Sequence, residues 1–386
     1  MTVTVPKGFR AAGIAAGIKK SGARDLALVV NEGPSFVAAG TFTTNKVKAA
    51  PVLWSQQVLA EHKLRAVLLN SGCANACTGP RGFQDTHASA EKLAGLLGVG
   101  AIEIAVCSTG LIGEPLPMSA VEAGIDTAAA ALDTGSEAGT AAANAVLTTD
   151  TVEKQAHTTH EAGWSIGGFA KGAGMCAPNM ATMLSVLTTD AVLDAELADQ
   201  VLRDVVTRTY NTLDVDGGTS TNDTVLLLAS GASGVRPDPE EFRTGLYTVC
   251  ADLVRQLQAD AEGVTKRVTI TVRGAVSPAD AETVARTVAE DALVSTAMFG
   301  SDPNWGRVAM AVGRSAAEVD PDRLDITIGG VTLCRDGLAA GNREDADLSG
   351  AEIAVEIGLN LGAHTASVLT TDLSHDYVEE NSAYSS

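Results

Sequence analysis

Short apolar runs alternate along the chain with longer segments in which apolar residues recur every three or four positions. Short runs bounded by Gly, Asn or Pro predict β-strands at residues 26–30, 36–42 and 65–70, and two further apolar runs predict strands at residues 166–170 and 183–186. The longer segments are rich in alanine and predict helices at residues 86–97, 118–132 and 195–210. Because strands and helices mix throughout, the pattern predicts an α/β (α+β) protein.

The C-terminal part repeats this mixture. Strands are predicted at residues 267–272, 324–328 and 354–359, and a helix at residues 279–292. We place a boundary after residue 275, which gives a main layered domain of residues 1–275 and a smaller C-terminal α+β subdomain of residues 276–386.

Composition narrows the class of partner. The formal net charge of −20 argues against nucleic acid and against an anionic membrane, since either would need a basic patch, and small molecules are the expected partners. No stretch of 18 apolar residues occurs, and residues 1–22 lack an export signal, so we expect a cytoplasmic protein. Six scattered cysteines indicate reduced thiols, and no metal site is expected.

The segment 171–184, KGAGMCAPNMATML, contains the strongest chemical signal. A glycine-rich bend and a proline precede Thr182, which opens an apolar run. If the bond before Thr182 is cut, the freed α-amine, with an ordinary pKa of roughly 7.7–8.0, can take the proton of the threonine hydroxyl. Taken alone, the same letters also suit a plain turn that leads into a strand.

This segment resembles the cleavage segment of the ornithine acetyltransferase family of arginine biosynthesis, the ArgJ family. Members are made as one precursor and cut before the threonine, which here implies cleavage between Ala181 and Thr182 into an alpha chain of residues 1–181 and a beta chain from residue 182. Other blocks agree in order: GTFTTN at 40–45, NACTG at 75–79, STGLIG at 108–113, DPNWGR at 302–307 and ENSAYS at 380–385. The resemblance implies a layered α-β-β-α sandwich of the N-terminal-nucleophile type, the DmpA/ArgJ-like fold. It also implies a heterotetramer of two alpha and two beta chains, or a higher assembly.

The resemblance further implies a reaction and its residues. Thr182 takes the acetyl group of N2-acetyl-L-ornithine and passes it to L-glutamate by a ping-pong mechanism, while Thr109 and Gly110 form the oxyanion hole. We expect these two on the loop leaving a strand, where backbone N–H groups are free. The implied substrate contacts are Thr148 (or its neighbour Thr149), Lys171, Thr182, Glu262, Asn381 and Ser386. No cofactor is expected, although bifunctional members of the family also accept acetyl-CoA.

Other interpretations of the sequence remain open. An autocleaving aminopeptidase or amidase would pass the acyl group to water, and a protein that only binds an amino acid would use Lys171 and Glu262 without chemistry. A serine esterase would use Ser165 within the GWSIG pattern at 163–167, but that pattern needs a strand before it and a helix after it.

Three lesser patterns are also present. His157 and His160 have the spacing of one helix face, but no carboxylate motif completes a zinc site. The letters DVDG at 214–217 begin like a calcium loop that Gly218 interrupts. The pentapeptide VLTTD occurs at 146–150, 186–190 and 368–372, and each copy ends in an Asp able to close a turn.

Overall fold

The computed structural model describes residues 2–175 and 183–383. The chain divides into two compact units, a first unit of Met1–Asn211 with Thr219–Leu257 and a second unit of Thr212–Gly218 with Gln258–Ser386. The division into domains of residues 1–275 and 276–386 stays a prediction. Ala181, Thr182 and Ser386, which the sequence places in the site, lie outside the described residues.

Two sheets and their covering helices build the first unit. The strands are β1 (Phe9–Ile14), β2 (Leu26–Asn31), β3 (Val37–Phe42), β4 (Ala66–Cys73), β5 (Ile104–Leu111), β6 (Lys154–Thr159), β7 (Ser165–Lys171), β8 (Leu184–Thr189) and β9 (Thr224–Ala229). The helices are α1 (Ala50–Val58), α2 (Gly79–Leu97), α3 (Met118–Ala130), α4 (Ser136–Ala145), α5 (Ala195–Arg208) and α6 (Pro239–Ala259). One sheet has the order β1-β2-β4-β5 and the other the order β3-β9-β8-β7-β6.

The two sheets share one apolar core. Leu28 and Leu68 of the four-stranded sheet belong to the same buried cluster as Val186 and Leu226 of the five-stranded sheet. Helices α2 and α3 pack against the four-stranded sheet, and α5 packs against β3 of the other. Strands β2 and β9 are buried on both faces, which explains their uninterrupted apolar sequences. The predicted α-β-β-α layering is therefore confirmed.

The second unit contains one mixed sheet with helices. Its strands are β10 (Arg267–Ala275), β11 (Asp325–Ile328), β12 (Val331–Arg335), β13 (Leu338–Ala339), β14 (Glu352–Gly358) and β15 (His364–Thr371), in the order β13-β12-β11-β14-β10-β15. Its helices are α7 (Pro278–Ala289), α8 (Ala292–Phe299), α9 (Trp305–Gly313) and α10 (His375–Ala383). Buried and partly exposed residues alternate along most of β10, which packs against α7.

The predicted strands and helices lie on elements of the same type, and the structure excludes two of the lesser sequence patterns. His157 lies in strand β6, so His157 and His160 do not share one face of a helix. Ser165 is the first residue of β7, and its hydroxyl donates to Oδ2 of Asp190 at 3.0 Å. A serine at the start of a strand does not form the strand-to-helix turn that a hydrolase nucleophile needs.

Asp214, which opens the calcium-like letters, is a buried carboxyl in the second unit. Its Oδ1 accepts from the backbone N–H of Gly217 at 3.0 Å. Burial raises the pKa of Asp214, the hydrogen bond from Gly217 opposes the shift and the nearby Glu290 adds to it, so that the pKa lies at about 7. Across the described residues, His, Cys, Asp and Glu side chains nowhere gather in threes as a metal site would need.

The raised pKa of Asp214 predicts a pH dependence of stability. Between the ordinary pKa of about 3.9 and the folded pKa of about 7, the unfolded chain releases a proton that the folded chain keeps, so stability falls as pH rises through this window. Asp214→Asn should flatten the fall in Tm between about pH 5 and pH 8. The exposed Asp322→Asn serves as the control and should keep the wild-type slope. Equal slopes for wild type and Asp214→Asn would contradict this origin of the pH dependence.

Candidate active site

The end of β5 carries Thr109 and Gly110, which lie in register with Ser71 and Gly72 of β4. The pairing with β4 extends β5 to Leu111, so the prediction that Thr109 and Gly110 lie on the loop after the strand is wrong. Gly110 has φ 128°, and a β-carbon there would lie 2.4 Å from the carbonyl carbon of Gly72. Only glycine fits such a close approach of two backbones.

Lys171, at the end of β7, brings the predicted residues of the first unit together. Its side chain is 1% exposed. The ammonium donates to the Oγ1 of Thr148 at 2.8 Å and to the Oγ1 of Thr109 at 3.4 Å. Thr148 lies in the bend between α4 and β6, so three separate segments converge on one buried cation.

Asp150 is the hub of this cluster, and sequence reasoning did not identify it as a site residue. The backbone N–H groups of Thr148 and Gly172 donate to its carboxylate at 3.1 and 2.6 Å. The ammonium of Lys154 lies 2.7 Å from Oδ1 of Asp150, and that of Lys171 lies 3.6 Å from Oδ2 of Asp150. Burial raises the pKa of Asp150, but the two lysines and these hydrogen bonds outweigh burial and hold the pKa below its usual range.

Another lysine, Lys19, contacts the residue before Thr148. Lys19 donates through Nζ to the carbonyl of Leu147 at 2.6 Å and to the carbonyl of Arg24 at 3.0 Å. Burial lowers the pKa of Lys19, while the attraction of Asp25 opposes the shift. Lys19, Arg24, Thr148 and Asp150 line a cavity of 540 Å³, a volume suited to a small molecule.

Two consecutive residues join β5 to the start of β8. The side-chain amide of Asn222 donates to the carbonyl of Ser108 at 2.8 Å and to that of Ala74 at 2.6 Å. Oδ1 of Asp223 accepts from the backbone N–H of Met183 at 2.9 Å. Burial raises the pKa of Asp223 well above its usual value, although the Met183 hydrogen bond lowers it. Because Met183 follows Thr182 in the chain, Asp223 anchors the residue next to the predicted nucleophile.

Glu262 and Asn381, which the sequence assigns to substrate binding, lie in the second unit and contact each other. The amide of Asn381 donates to Oε2 of Glu262 at 2.8 Å and to the carbonyl of Tyr377 at 3.0 Å, near the start of α10. The pair presents a carboxylate beside an amide, a combination that can hold an ammonium group.

The tight contact at Gly110 generates a prediction. Gly110→Ala would push a methyl group into Gly72 and strain the backbone, so we expect a clear loss of Tm. Gly113→Ala is the matched control, because Gly113 has φ 89° but a β-carbon there meets nothing within 4 Å. The control should lose only the smaller cost of the backbone conformation. Equal losses in the two variants, measured by thermal unfolding, would show that the approach to Gly72 is not limiting.

Among the helices of residues 2–175 and 183–383, none combines the length and apolar character that a bilayer-spanning helix requires.

Comparison with known proteins matches residues 10–386 to the ArgJ family. The arginine biosynthesis bifunctional protein ArgJ of Mycolicibacterium paratuberculosis is 59% identical over 389 residues, covering 100% of this chain and 96% of its own length. The protein of the same name from Thermobifida fusca is 55% identical over 385 residues, covering 100% of both chains.

Among solved structures, a chain of ornithine acetyltransferase from Mycobacterium tuberculosis, complexed with ornithine, is 60% identical, with a TM-score of 0.46. The match covers 46% of this chain and 94% of that one. The family expected from the sequence is confirmed by the family match and by the full-length relatives. The chain belongs to the ArgJ family.

Proposed function

We propose that the protein transfers the acetyl group of N2-acetylornithine to glutamate through an acetyl ester of Thr182. Membership of the ArgJ family supports an acyltransferase of arginine biosynthesis. The observation that carries the site is the convergence of Lys171, Thr148 and Thr109. In this arrangement a hydroxyl and a cation lie at the end of β5, and Gly110 is the next residue after Thr109.

These groups suit stabilisation of an oxyanion. Because the Oγ1 of Thr109 accepts from the ammonium of Lys171, the hydroxyl hydrogen remains to be donated elsewhere. A tetrahedral intermediate needs such preorganised donors in a site from which water is excluded, and Thr109 is fully buried. We assign the oxyanion hole to the Thr109 hydroxyl and the Gly110 N–H.

The transfer consists of two half-reactions at one nucleophile. The Thr182 hydroxyl adds to the acetyl carbonyl and passes its proton to its own α-amine. The carbon–nitrogen bond of the substrate then breaks, and ornithine leaves with that proton. The amine of glutamate next attacks the ester, N-acetylglutamate leaves, and Thr182 recovers its hydroxyl hydrogen. Cleavage between Ala181 and Thr182 must come first, because the α-amine is otherwise part of a peptide bond.

Substrate recognition follows from the charges. In the first unit, Lys171 and Thr148 are proposed contacts for a substrate carboxylate. In the second unit, Glu262 and Asn381 are proposed contacts for a substrate amine, and Ser386 and Thr182 complete the set implied by the family. Acetyl-CoA is proposed as a second donor for glutamate. A cytoplasmic location and a heterotetramer of two alpha and two beta chains belong to the same proposal.

Self-cleavage is tested by the intact mass of the purified protein. We expect two chains, residues 1–181 and 182–386, and Thr182→Ala should leave one uncut chain because the hydroxyl that attacks the Ala181 carbonyl is gone. Thr127→Ala, at an exposed position of α3, is the control for loss of a threonine outside the cleavage segment and should still be cut. A wild-type protein that stays as one full-length chain at neutral pH would refute the proposal.

The oxyanion role of Thr109 is tested by steady-state kinetics with N2-acetylornithine and glutamate. Thr109→Ala should lower kcat by about 10²–10³-fold with little change in KM, since the donor acts in the transition state. Thr109→Ser keeps the hydroxyl and should retain much of the rate. A raised KM with unchanged kcat would instead make Thr109 a substrate contact. Acetate release that does not require glutamate would favour the amidase alternative.

A further inference from the structure

The three copies of VLTTD place their aspartates in comparable surroundings. Asp150, Asp190 and Asp372 are all largely buried, and each accepts two backbone N–H groups. The donors are Thr148 and Gly172 for Asp150, Lys7 and Ser165 for Asp190, and Thr265 and Lys266 for Asp372. Holding two segments together is therefore the shared structural task of this aspartate.

Asp150 differs from its two counterparts in its charged partners. Asp190 adds the hydroxyl of Ser165, and Asp372 adds the hydroxyl of Thr265. Asp150 instead faces the ammonium groups of Lys154 and Lys171, and all three side chains are almost completely buried. Within the described residues, neither counterpart takes part in an ion pair.

The lysines at Asp150 are not needed for the shared structural task. Burying two ammonium groups beside one carboxylate carries a desolvation cost that Asp190 and Asp372 avoid. Buried charged groups with such a desolvation cost are common at functional sites. Among the described residues, two buried ammonium groups face the Asp150 carboxylate, and the ammonium of Lys171 lies 3.4 Å from the hydroxyl oxygen of Thr109.

We propose that Asp150 is a positioning residue of the acetyl transfer, which holds Lys171 and Thr148 in place so that the Lys171 ammonium polarises the Thr109 hydroxyl. Lys154 is the second cation that faces the Asp150 carboxylate. A lysine side chain is a flexible four-carbon stem, and the carboxylate removes that freedom. The inference rests on the proposed function, because it assumes that an oxyanion forms beside Thr109.

Asp150→Asn alone is a poor test, because it leaves two buried ammonium groups without a carboxylate and invites unfolding. The double variant Asp150→Asn/Lys154→Met restores the wild-type net charge of the cluster. The single variant Lys154→Met is the reference with which the double variant is compared. Asp190→Asn is the matched control, since it removes the carboxylate from an identical pentapeptide in the same unit.

For each variant the experiment measures Tm, the fraction of cleaved chain by intact mass, and kcat and KM per cleaved chain. We expect the double variant to melt like Lys154→Met while kcat falls by about tenfold or more and KM stays within about twofold. Asp190→Asn should lose Tm and keep kcat. Adding Thr109→Ala should remove most of the effect of Asp150→Asn, because both changes act on the same hydroxyl.

Each other outcome decides the proposal. A double variant that melts normally but fails to cleave supports a role for Asp150 in Thr182 chemistry. The proposal is overturned if the double variant, whose net charge equals that of the wild type, also has the wild-type kcat. It is likewise overturned if Asp190→Asn loses as much kcat as the double variant, or if the double variant no longer melts cooperatively. A wild-type protein that transfers no acetyl from N2-acetylornithine to glutamate would instead refute the proposed function.

Discussion

Burial of the Lys171 ammonium is the constraint on which the candidate site depends. A buried cation is stable only when charges and hydrogen-bond acceptors surround it. The structure supplies them from two segments, with Thr109 from β5, and Thr148 and Asp150 from the connection between α4 and β6. Because the Lys171 ammonium needs these partners, its burial fixes the relative positions of the groups that the proposed reaction uses.

The two sheets of the first unit make this convergence possible. Thr109 lies on the four-stranded sheet and Lys171 on the five-stranded sheet, and the shared core holds the sheets together. Asn222 and Asp223 add a polar link, since one holds the carbonyl before Thr109 and the other holds the amide after Thr182. Strand β5 and the start of β8 are thus anchored by adjacent residues of one chain segment.

Local patterns predicted the strands and helices that have strong periodicity, and the motif at 171–184 identified the family. They could not show Asp150, Lys154 or Asp223 as site residues, because an aspartate in a strand-exit pentapeptide has the same letters whether or not lysines face it. The three VLTTD copies illustrate this limit, since only tertiary contacts distinguish Asp150 from Asp190. Thr109 was placed on a loop for a similar reason, because only its pairing with β4 shows that β5 continues to Leu111.

The most direct test of the mechanism is to trap the acyl-enzyme. With N2-acetylornithine present and glutamate absent, rapid acid quenching should leave one acetyl group, an added mass of about 42 Da, on the 182–386 chain, and peptide mapping should place it on Thr182. Glutamate added before the quench should remove the acetyl group. An acetyl group found on Ser165 or on the 1–181 chain, or turnover without any acetylated chain, would contradict the account.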